Sequence, residues 1–469
     1  MEALRVVMKF GGRCVEDGSM IRRSSSIVAE RARRGDEVVA VVSAMAGVTD
    51  DIAACLERAE GGDVGYVEGF MARMRGRHLK ALEEAVEDPS IRGEVEEALR
   101  RELDELERLL SVVAYLKEAT PRTRDYALSF GERLSTRIFW GSLRDRGVRA
   151  VYLTGWEAGI VTDDCFGSAR PMMALTARQV RERLDPLLAS GVVPTVTGFI
   201  AATPDGVVTT LGRGGSDYTA TIIGAAIKAD EVVVWKDVDG IMTADPKLVP
   251  EARTIPAMSY EEVTELAYFG AKVMHPLALE PAMREGVPIR VKNIFNPSGE
   301  GTLITRVVEP RGVVKAVTMV KDTAIVTVSG ASMVEAPSIS VEVLRALSEV
   351  GVQAIMLSQG SSQASISLAI PRASLERAVR SIKRRLGSEG YKVEFEDDVC
   401  VVAVIGAGMR GKPGVAARVF KAVAEEGVNV RMIAQGSSEL NISFVVKEAD
   451  GVKALRAIHR EFGLNEPAM

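Results

Sequence analysis

The stretch GASMVEAPSISVEVLRALSEVGVQAIMLSQGSSQASIS, starting at Gly330, lies without a gap over GAGMRGKPGVAARVFKAVAEEGVNVRMIAQGSSELNIS, starting at Gly406, at an offset of 76 residues. Met333 falls on Met409, Pro337 on Pro413, Gly351 on Gly427, and the QGSS at 359 on the QGSS at 435. A duplication constrains the fold more than any single motif, because each copy must be one supersecondary unit with a face to bury. Both copies read strand, loop, helix, strand, strand and a further helix, a spacing too short for a long solenoid. Two small α/β modules of the split βαβ kind fit this pattern. A duplicated structural domain without a ligand is the plain alternative.

The preceding part of the chain obeys a different rule. From Val6 to about Asn293, runs rich in β-branched residues (EVVAVVSAM, GVVPTVTGFI, DEVVVWKDV, VPIRVKNI) alternate with amphipathic helical patterns. This is the arrangement of a parallel sheet covered on both faces. Residues 64 to 118 break the alternation with Glu, Arg, Leu and Ala at helical spacing and no strand signal. They form a helical excursion from the sheet that could serve as a lid. Turn residues in NPSGEGT at 296 to 302 mark a boundary. The expected organisation is an α/β domain over 1–303, a first module over 313–388 and a second over 390–469, with strand exchange or insertion between the modules allowed.

Composition removes several function classes. The formal charge of −5 comes from interspersed acids and bases rather than blocks, so no nucleic-acid partner is expected. The densest basic patches, RARR at 31 to 34 and KRR at 383 to 385, read as solvated helix ends. Cys14, Cys55, Cys165 and Cys400 show no CxxC pairing, which speaks against a zinc site or a disulfide framework and for a reducing cytoplasm. The start MEALRVVMKF lacks a signal-peptide layout, and no run approaches about 18 apolar residues. The chain is expected to be neither exported nor embedded in a membrane.

Three segments of the first domain carry chemistry. KFGG puts Lys9 at a strand end, where Gly11 and Gly12 let backbone amides approach an anion. TTLGRGGSDYTATIIGAAI leaves a strand at Leu211 and enters a helix near Ser216, where Ser216 or Asp217 can cap the free amides or an anion can sit. Arg213 in that turn can hold a carboxylate through two parallel hydrogen bonds. VVWKDVDGIMTADPKLVP gathers Lys236, Asp237, Asp239, Asp245 and Lys247 in one loop. His78 reads as a helix-face residue and His275 as structural rather than catalytic.

Together these segments resemble the aspartate kinases, members of the amino acid kinase superfamily with two C-terminal ACT domains. The resemblance runs through KFGG at 9, VVSAMAGVTD at 41, SFGERLS at 129, VTGFI at 196, TLGRGGSDYTA at 210, DVDGIMTADP at 237, AYFGAKVMHP at 267 and GMRGKPGVAARVF at 408. It implies an amino acid kinase fold, a mainly parallel sheet sandwiched by helices, followed by two ferredoxin-like ACT domains. It implies transfer of the γ-phosphoryl group of MgATP to the side-chain carboxylate of L-aspartate, the first step of lysine, threonine and methionine biosynthesis. That carboxylate, with an ordinary pKa of about 3.9, is already ionised at neutral pH and needs no general base.

By that resemblance Lys9, Gly11, Gly12 and Lys272 serve catalysis, and Ser43, Thr49, Glu132, Arg213, Ser216 and Asp217 bind the amino acid. Glu132 and Asp217 would meet its α-amino group and Arg213 its α-carboxylate. Lys9, Lys236, Asp237, Met242, Lys247, Lys272 and Val273 would contact ATP, and Mg²⁺ would be held mainly by phosphates and water, with no protein ligand. ACT pairs of this kind are implied to assemble as a homodimer or higher homo-oligomer and to bind lysine or threonine, here near Met333, Pro337, Ser338 and Gln359. The chain departs from the pattern at Arg13 and Cys14, where small hydroxyl residues usually follow KFGG, at Lys236 for a frequent threonine, and at Met242 for a common tyrosine. A catalytically weak amino-acid-sensing homologue, or a kinase acting on glutamate, a carbamate or a nucleotide, are the competing readings.

Overall fold

The computed structural model describes residues 3–271, 274–308, 312–330, 338–360, 365–387 and 390–466. The chain divides into two compact units: Met1–Ile241 with Pro256–Tyr260 and Met274–Arg306, and Met242–Ile255 with Glu261–Val273 and Val307–Met469.

The strands of the first unit are β1 (Arg5–Phe10), β2 (Glu37–Val42), β3 (Ala150–Leu153), β4 (Val193–Thr197), β5 (Ile200–Ala202), β6 (Val208–Thr210), β7 (Glu231–Lys236), β8 (Ala257–Ser259), β9 (Ile289–Asn293) and β10 (Thr302–Thr305). Eight of them form one sheet in the order β3-β4-β2-β1-β7-β9-β10-β8, and β5 pairs with β6. All neighbours in the large sheet run parallel except β9 and β10. β4 is buried along its whole length, and β1 and β2 are buried beyond their first residue, as strands covered on both faces require. Helices begin where the sequence supplies caps. Asp17, Asp63, Asp88 and Thr120 accept N–H groups of the following first turns, and Pro89 and Pro121 occupy first helical positions.

The helical excursion is Val64–Ala85 and Pro89–Leu116. It is not a lid hung on the sheet. Phe70, Met71, Met74, Leu99, Leu103 and Leu106 share one buried cluster with Val6, Met8, Phe10, Val38 and Val42. His78, on the first of these helices, is fully buried rather than on a wetted face. Burial pushes its pKa down to about 4, and Nδ1 lies 2.9 Å from the Met74 carbonyl oxygen.

The second unit contains β11 (Ala316–Ser329), β12 (Met356–Gln359), β13 (Ser365–Pro371), β14 (Lys392–Ile405), β15 (Met432–Gln435) and β16 (Asn441–Lys447) in one antiparallel sheet, order β12-β13-β11-β14-β16-β15. Helices Ser338–Glu349, Leu375–Leu386, Val415–Glu425 and Glu448–Glu461 complete the two copies of the repeat. The copies do not keep separate sheets. Residues 323–329 of β11 pair with β13, residues 316–320 pair with 401–405 of β14, and a register irregularity with Asp322 at φ 52° lies where β11 passes from one copy to the other. Two short segments from within the first 303 residues also belong to this unit. Ala244 and Val249 enter its core with Val402, Phe444 and Leu455, and the fully buried Glu262 pairs with Lys315 at 2.8 Å while accepting the Ala407 N–H at 2.7 Å.

Because the excursion is core, Leu103→Ala should lower the denaturation midpoint of the first unit by the equivalent of about 2–5 kcal/mol. All three tryptophans, Trp140, Trp156 and Trp235, lie in that unit, so their fluorescence reads it. An unchanged midpoint would restore the lid.

Candidate active site

Parallel strands end together, and here β1, β2, β4 and β7 deliver their carboxyl ends to one edge of the sheet, where α/β folds place their sites. Lys9 stands level with Val41 and Val234 on its two neighbours. Beyond the strands, the Gly11 N–H donates to the Trp235 carbonyl at 3.3 Å, the Ser43 N–H to the Phe10 carbonyl at 3.1 Å and the Gly198 N–H to the Val42 carbonyl at 2.9 Å. The loops after KF, VV, VT and WK are thereby held side by side.

Asp217 is the centre of this edge. Lys9 Nζ lies 2.6 Å from its Oδ1, and Lys236 Nζ lies 3.7 Å from its Oδ2. The side-chain exposures are 9% for Asp217, 8% for Lys9 and 19% for Lys236. Burial by itself would raise the Asp217 carboxyl, but the two ammonium groups outweigh it and hold the pKa below the ordinary range. Burial, aided by the Lys9 charge, pushes Lys236 below the usual lysine range. The expected capping by Ser216 or Asp217 does not occur. Gly214, at φ 75°, caps the helix Gly215–Ala226 without a side-chain bond, which leaves Asp217 free to face the lysines. A side chain at 214 would also bring its Cβ 2.6 Å from the Cβ of His275.

Glu132 projects from the helix Pro121–Asp145 and is buried. Burial raises its carboxyl to about 8, against hydrogen bonds from the backbone of Ala44 and Glu132 and the charge of Lys9. Its Oε2 has no hydrogen-bond partner. Gly131 lets this helix press on the loop after β2: a Cβ there would lie 3.0 Å from the Ala44 Cβ and 3.5 Å from Thr49 Oγ1. Ser135 Oγ donates to the Ser43 carbonyl at 2.7 Å. Ser43 and Thr49 thus sit beside Glu132, and Ser216 sits against Gly198.

The KFGGRC loop keeps its lysine and glycines in place. Cys14 is turned into the core, where its thiol lies 3.3 Å from the Trp235 carbonyl and burial lifts its pKa to about 11. Arg13 turns outward, with its side chain 67% exposed, 3.2 Å from Glu16 and 3.8 Å from Asp237. Arg213 is exposed, and its charge, after burial, helps lower the pKa of His275. His275 caps the helix Pro276–Glu285, its ring nitrogen accepting the Leu277 N–H at 3.4 Å, a structural role.

Other expected residues are not gathered here. Met242 and Lys247 belong to the second compact unit. There Met242 bridges to Thr254, and the exposed Lys247 gives its N–H to Asp245 at 2.9 Å. Lys272, Val273, Met333 and Pro337 lie outside the described residues, as does the side chain of Ser338. Gln359 ends β12 and donates to Ser340 Oγ at 3.1 Å.

Two residues that the sequence did not single out brace the site. Asp125 is buried two turns before Glu132 and accepts the Gly167 N–H at 2.9 Å, the Thr210 N–H at 2.8 Å and the Thr210 hydroxyl at 2.9 Å. It ties the start of the GRGG turn to the helix that carries Glu132. Arg77, from the excursion, donates to the carbonyls of Ala46 at 2.8 Å and Glu16 at 3.3 Å. The seven-residue spacing of Asp125 and Glu132 on one helix was the available signal for the first; nothing local marked Arg77.

A family model for the amino acid kinase family matches residues 4–293, and one for the ACT domain matches 326–386 and 402–462. Chloroplastic aspartokinase 1 of Arabidopsis thaliana is 32% identical over 98% of this chain and 80% of its own length. The chloroplastic bifunctional aspartokinase/homoserine dehydrogenase 1 of the same plant is 31% identical over 99% of this chain, which spans 51% of that longer protein. The crystal structure of E. coli aspartokinase III with aspartate and ADP, in the R-state, matches with a TM-score of 0.83 at 31% identity, over 98% of this chain and 100% of that one. The same enzyme with lysine and aspartate, in the T-state, matches with a TM-score of 0.80 at 30% identity, over 97% and 99%.

Glu132 should leave a signature in stability. Between its ordinary value of 4.5 and about 8 the folded chain holds a proton that the unfolded chain has lost, so this residue makes stability fall as pH rises through that window. Glu132→Gln should flatten that part of the curve in denaturation at a series of pH values; an unchanged slope would place the proton elsewhere.

Proposed function

The chain belongs to the amino acid kinase family, as an aspartate kinase with ACT regulatory domains, and on that premise we propose how its residues carry the γ-phosphoryl group of MgATP to the side-chain carboxylate of L-aspartate. The observation that carries the reading is the Glu132 carboxyl, buried beside Lys9 with one oxygen unpartnered. A substrate ammonium completes it, whereas a nucleotide or carbamate acceptor offers no such cation. Arg213 takes the α-carboxylate, Ser43 and Thr49 orient the reacting carboxylate, and Ser216 lies next to them. Asp217, already facing two lysines, acts on those lysines more than on the substrate's amino group.

The chemistry asks little of acid or base groups. The acceptor carboxylate is ionised at neutral pH, so the protein's task is to position two anions in line and to neutralise charge as it builds. Lys9 meets the transferring phosphoryl group, the amide of Gly12 approaches its oxygens while that of Gly11 is engaged by the Trp235 carbonyl, and Lys236 and Asp237 border the nucleotide. Mg²⁺ enters with the nucleotide as part of the substrate. The remaining ATP positions, Met242, Lys247, Lys272 and Val273, rest on resemblance alone.

The repeat is read as a sensor. An amino-acid end product, lysine or threonine, bound at the ACT pair would regulate the kinase, with the chain acting as a homodimer or higher homo-oligomer in the cytoplasm at the first step of lysine, threonine and methionine synthesis. No helix among the described residues is long and apolar enough to cross a membrane.

L-Aspartate with MgATP should release ADP at about 1 to 10³ per second and yield an acyl phosphate that hydroxylamine traps. Glutamate, carbamate and nucleotide acceptors should not; turnover with one of them instead of aspartate would overturn the reading. Lys9→Ala should cost on the order of 10² in turnover. Because Cys14 is core and Arg13 faces outward, the double change Arg13→Thr with Cys14→Ser should alter turnover by less than about tenfold. A rise of many orders from an undetectable baseline would mean that the native loop is disabled.

A further inference from the structure

The amino-acid site as read above has two ends, Glu132 for the α-ammonium group and Arg213 for the α-carboxylate, and they come from distant parts of the chain. We propose that Asp125 is a positioning residue for both: it fixes the distance between these ends and so selects aspartate over an acceptor whose side chain is one methylene longer. The proposal rests on the aspartate kinase reading.

Asp125 and Glu132 lie seven residues apart on the helix Pro121–Asp145, which puts them on one face, roughly 10 Å apart along the axis. Asp125 is 1% exposed, and its carboxylate is spent on another part of the chain. Oδ2 accepts the Thr210 N–H at 2.8 Å and the Gly167 N–H at 2.9 Å, while Oδ1 accepts the Thr210 hydroxyl at 2.9 Å. Thr210 ends β6, and Arg213 follows three residues later, between Gly212 at φ 72° and Gly214 at φ 75°. The turn around Arg213 is closed by the Leu211 N–H, which donates to the Phe199 carbonyl at 2.9 Å, and the Gly215 N–H, which donates to the Gly212 carbonyl at 3.0 Å. Gly167 belongs to a loop that backs this turn. There the Ala169 N–H donates to the Thr210 carbonyl at 2.8 Å, and a Cβ on Gly212 would lie 3.2 Å from Ser168 Oγ. One carboxylate therefore holds the Arg213 turn, and the loop behind it, to the helix of Glu132.

All three partners of Asp125 are uncharged, and burial pushes its carboxyl upward against their pull. Packing alone would be served by an apolar side chain in such a place. What the carboxylate adds is direction, because three hydrogen bonds to two segments fix position as well as contact. An α-amino acid carries its ammonium and α-carboxylate groups on one carbon. Holding both ends places that carbon, and the side chain then reaches a set distance toward the ends of β1 and β2, where Lys9 and Ser43 stand. Aspartate and glutamate differ by one C–C bond, about 1.5 Å. A misplacement of about 1 Å can cost on the order of 10² in rate, so telling them apart requires the two ends to be held more closely than that.

The test uses the full-length protein. Asp125→Ala releases the Thr210 and Gly167 donors and should raise the KM for aspartate by about 10- to 10²-fold, while the KM for MgATP changes by less than roughly threefold. L-Glutamate, assayed as a competitive inhibitor against aspartate, should keep its inhibition constant within about threefold, so that the preference for aspartate narrows. Asp125→Asn should restore the aspartate KM to within about threefold of wild type, because its oxygen can accept both N–H groups while its NH2 donates to the Thr210 hydroxyl. Thr210→Val, which removes the hydroxyl alone, should move the aspartate KM in the same direction by a smaller factor. Asp125→Ser replaces the Ala variant if tryptophan fluorescence shows that the latter does not fold. Equal losses for aspartate and MgATP would make Asp125 a general scaffold residue, equal losses for aspartate and glutamate would detach it from the spacing, and an unchanged aspartate KM would make the tie dispensable; each overturns the proposal. A wild-type chain that does not turn over aspartate would instead overturn the kinase reading.

Discussion

A carboxylate nearly cut off from water has to be matched by cations, and Asp217 is matched by two, from the ends of neighbouring strands. Much of the site follows from this. The lysines reach one carboxylate only because β1 and β7 are parallel neighbours that end at the same edge. Asp217 faces them because the helix that bears it is capped by the backbone at Gly214 and makes no claim on the side chain. Removing one member of such a buried group leaves the others uncompensated, which costs more than the intact group contributes. The arrangement is therefore self-enforcing: its parts are stable together and unstable apart.

Glu132 is the counterpart. It too is buried, but its environment raises the carboxyl instead of lowering it. Two buried acids at one edge are thus moved in opposite directions, Asp217 down by two ammonium groups and Glu132 up by burial.

The sheet was legible because parallel strands buried on both faces need unbroken β-branched runs, and those runs stand out in EVVAVV and EVVVWK. Lys9, Arg213, Asp217 and Lys236 could be picked out because each sits in an unusual local string. Their pairing could not. Lys9 and Asp217 are 208 residues apart, and no periodicity reports contacts of that range. Local pattern misled where it offered two outcomes of equal local cost: Ser216 and Asp217 are good caps, yet the helix uses Gly214. His78 was read as a helix-face residue because helical spacing gives a face but not what packs on it; it is fully buried. Arg77 stayed hidden because its work is done on backbone carbonyls, which leave no mark in sequence, and Asp125 was marked only by its seven-residue spacing from Glu132.

The two copies of the repeat are joined more deeply than their tandem order implies. In the first copy the sheet is β12, β13, the end of β11 and the start of β14; in the second it is β15, β16, the end of β14 and the start of β11. Each long strand is a shared wall. The second copy takes its outermost strand from residues that precede the first, so a cut between the copies leaves both incomplete, and neither can be shed, shuffled or inherited alone. Duplication made the two halves alike; the exchange of strands made them a single hereditary unit.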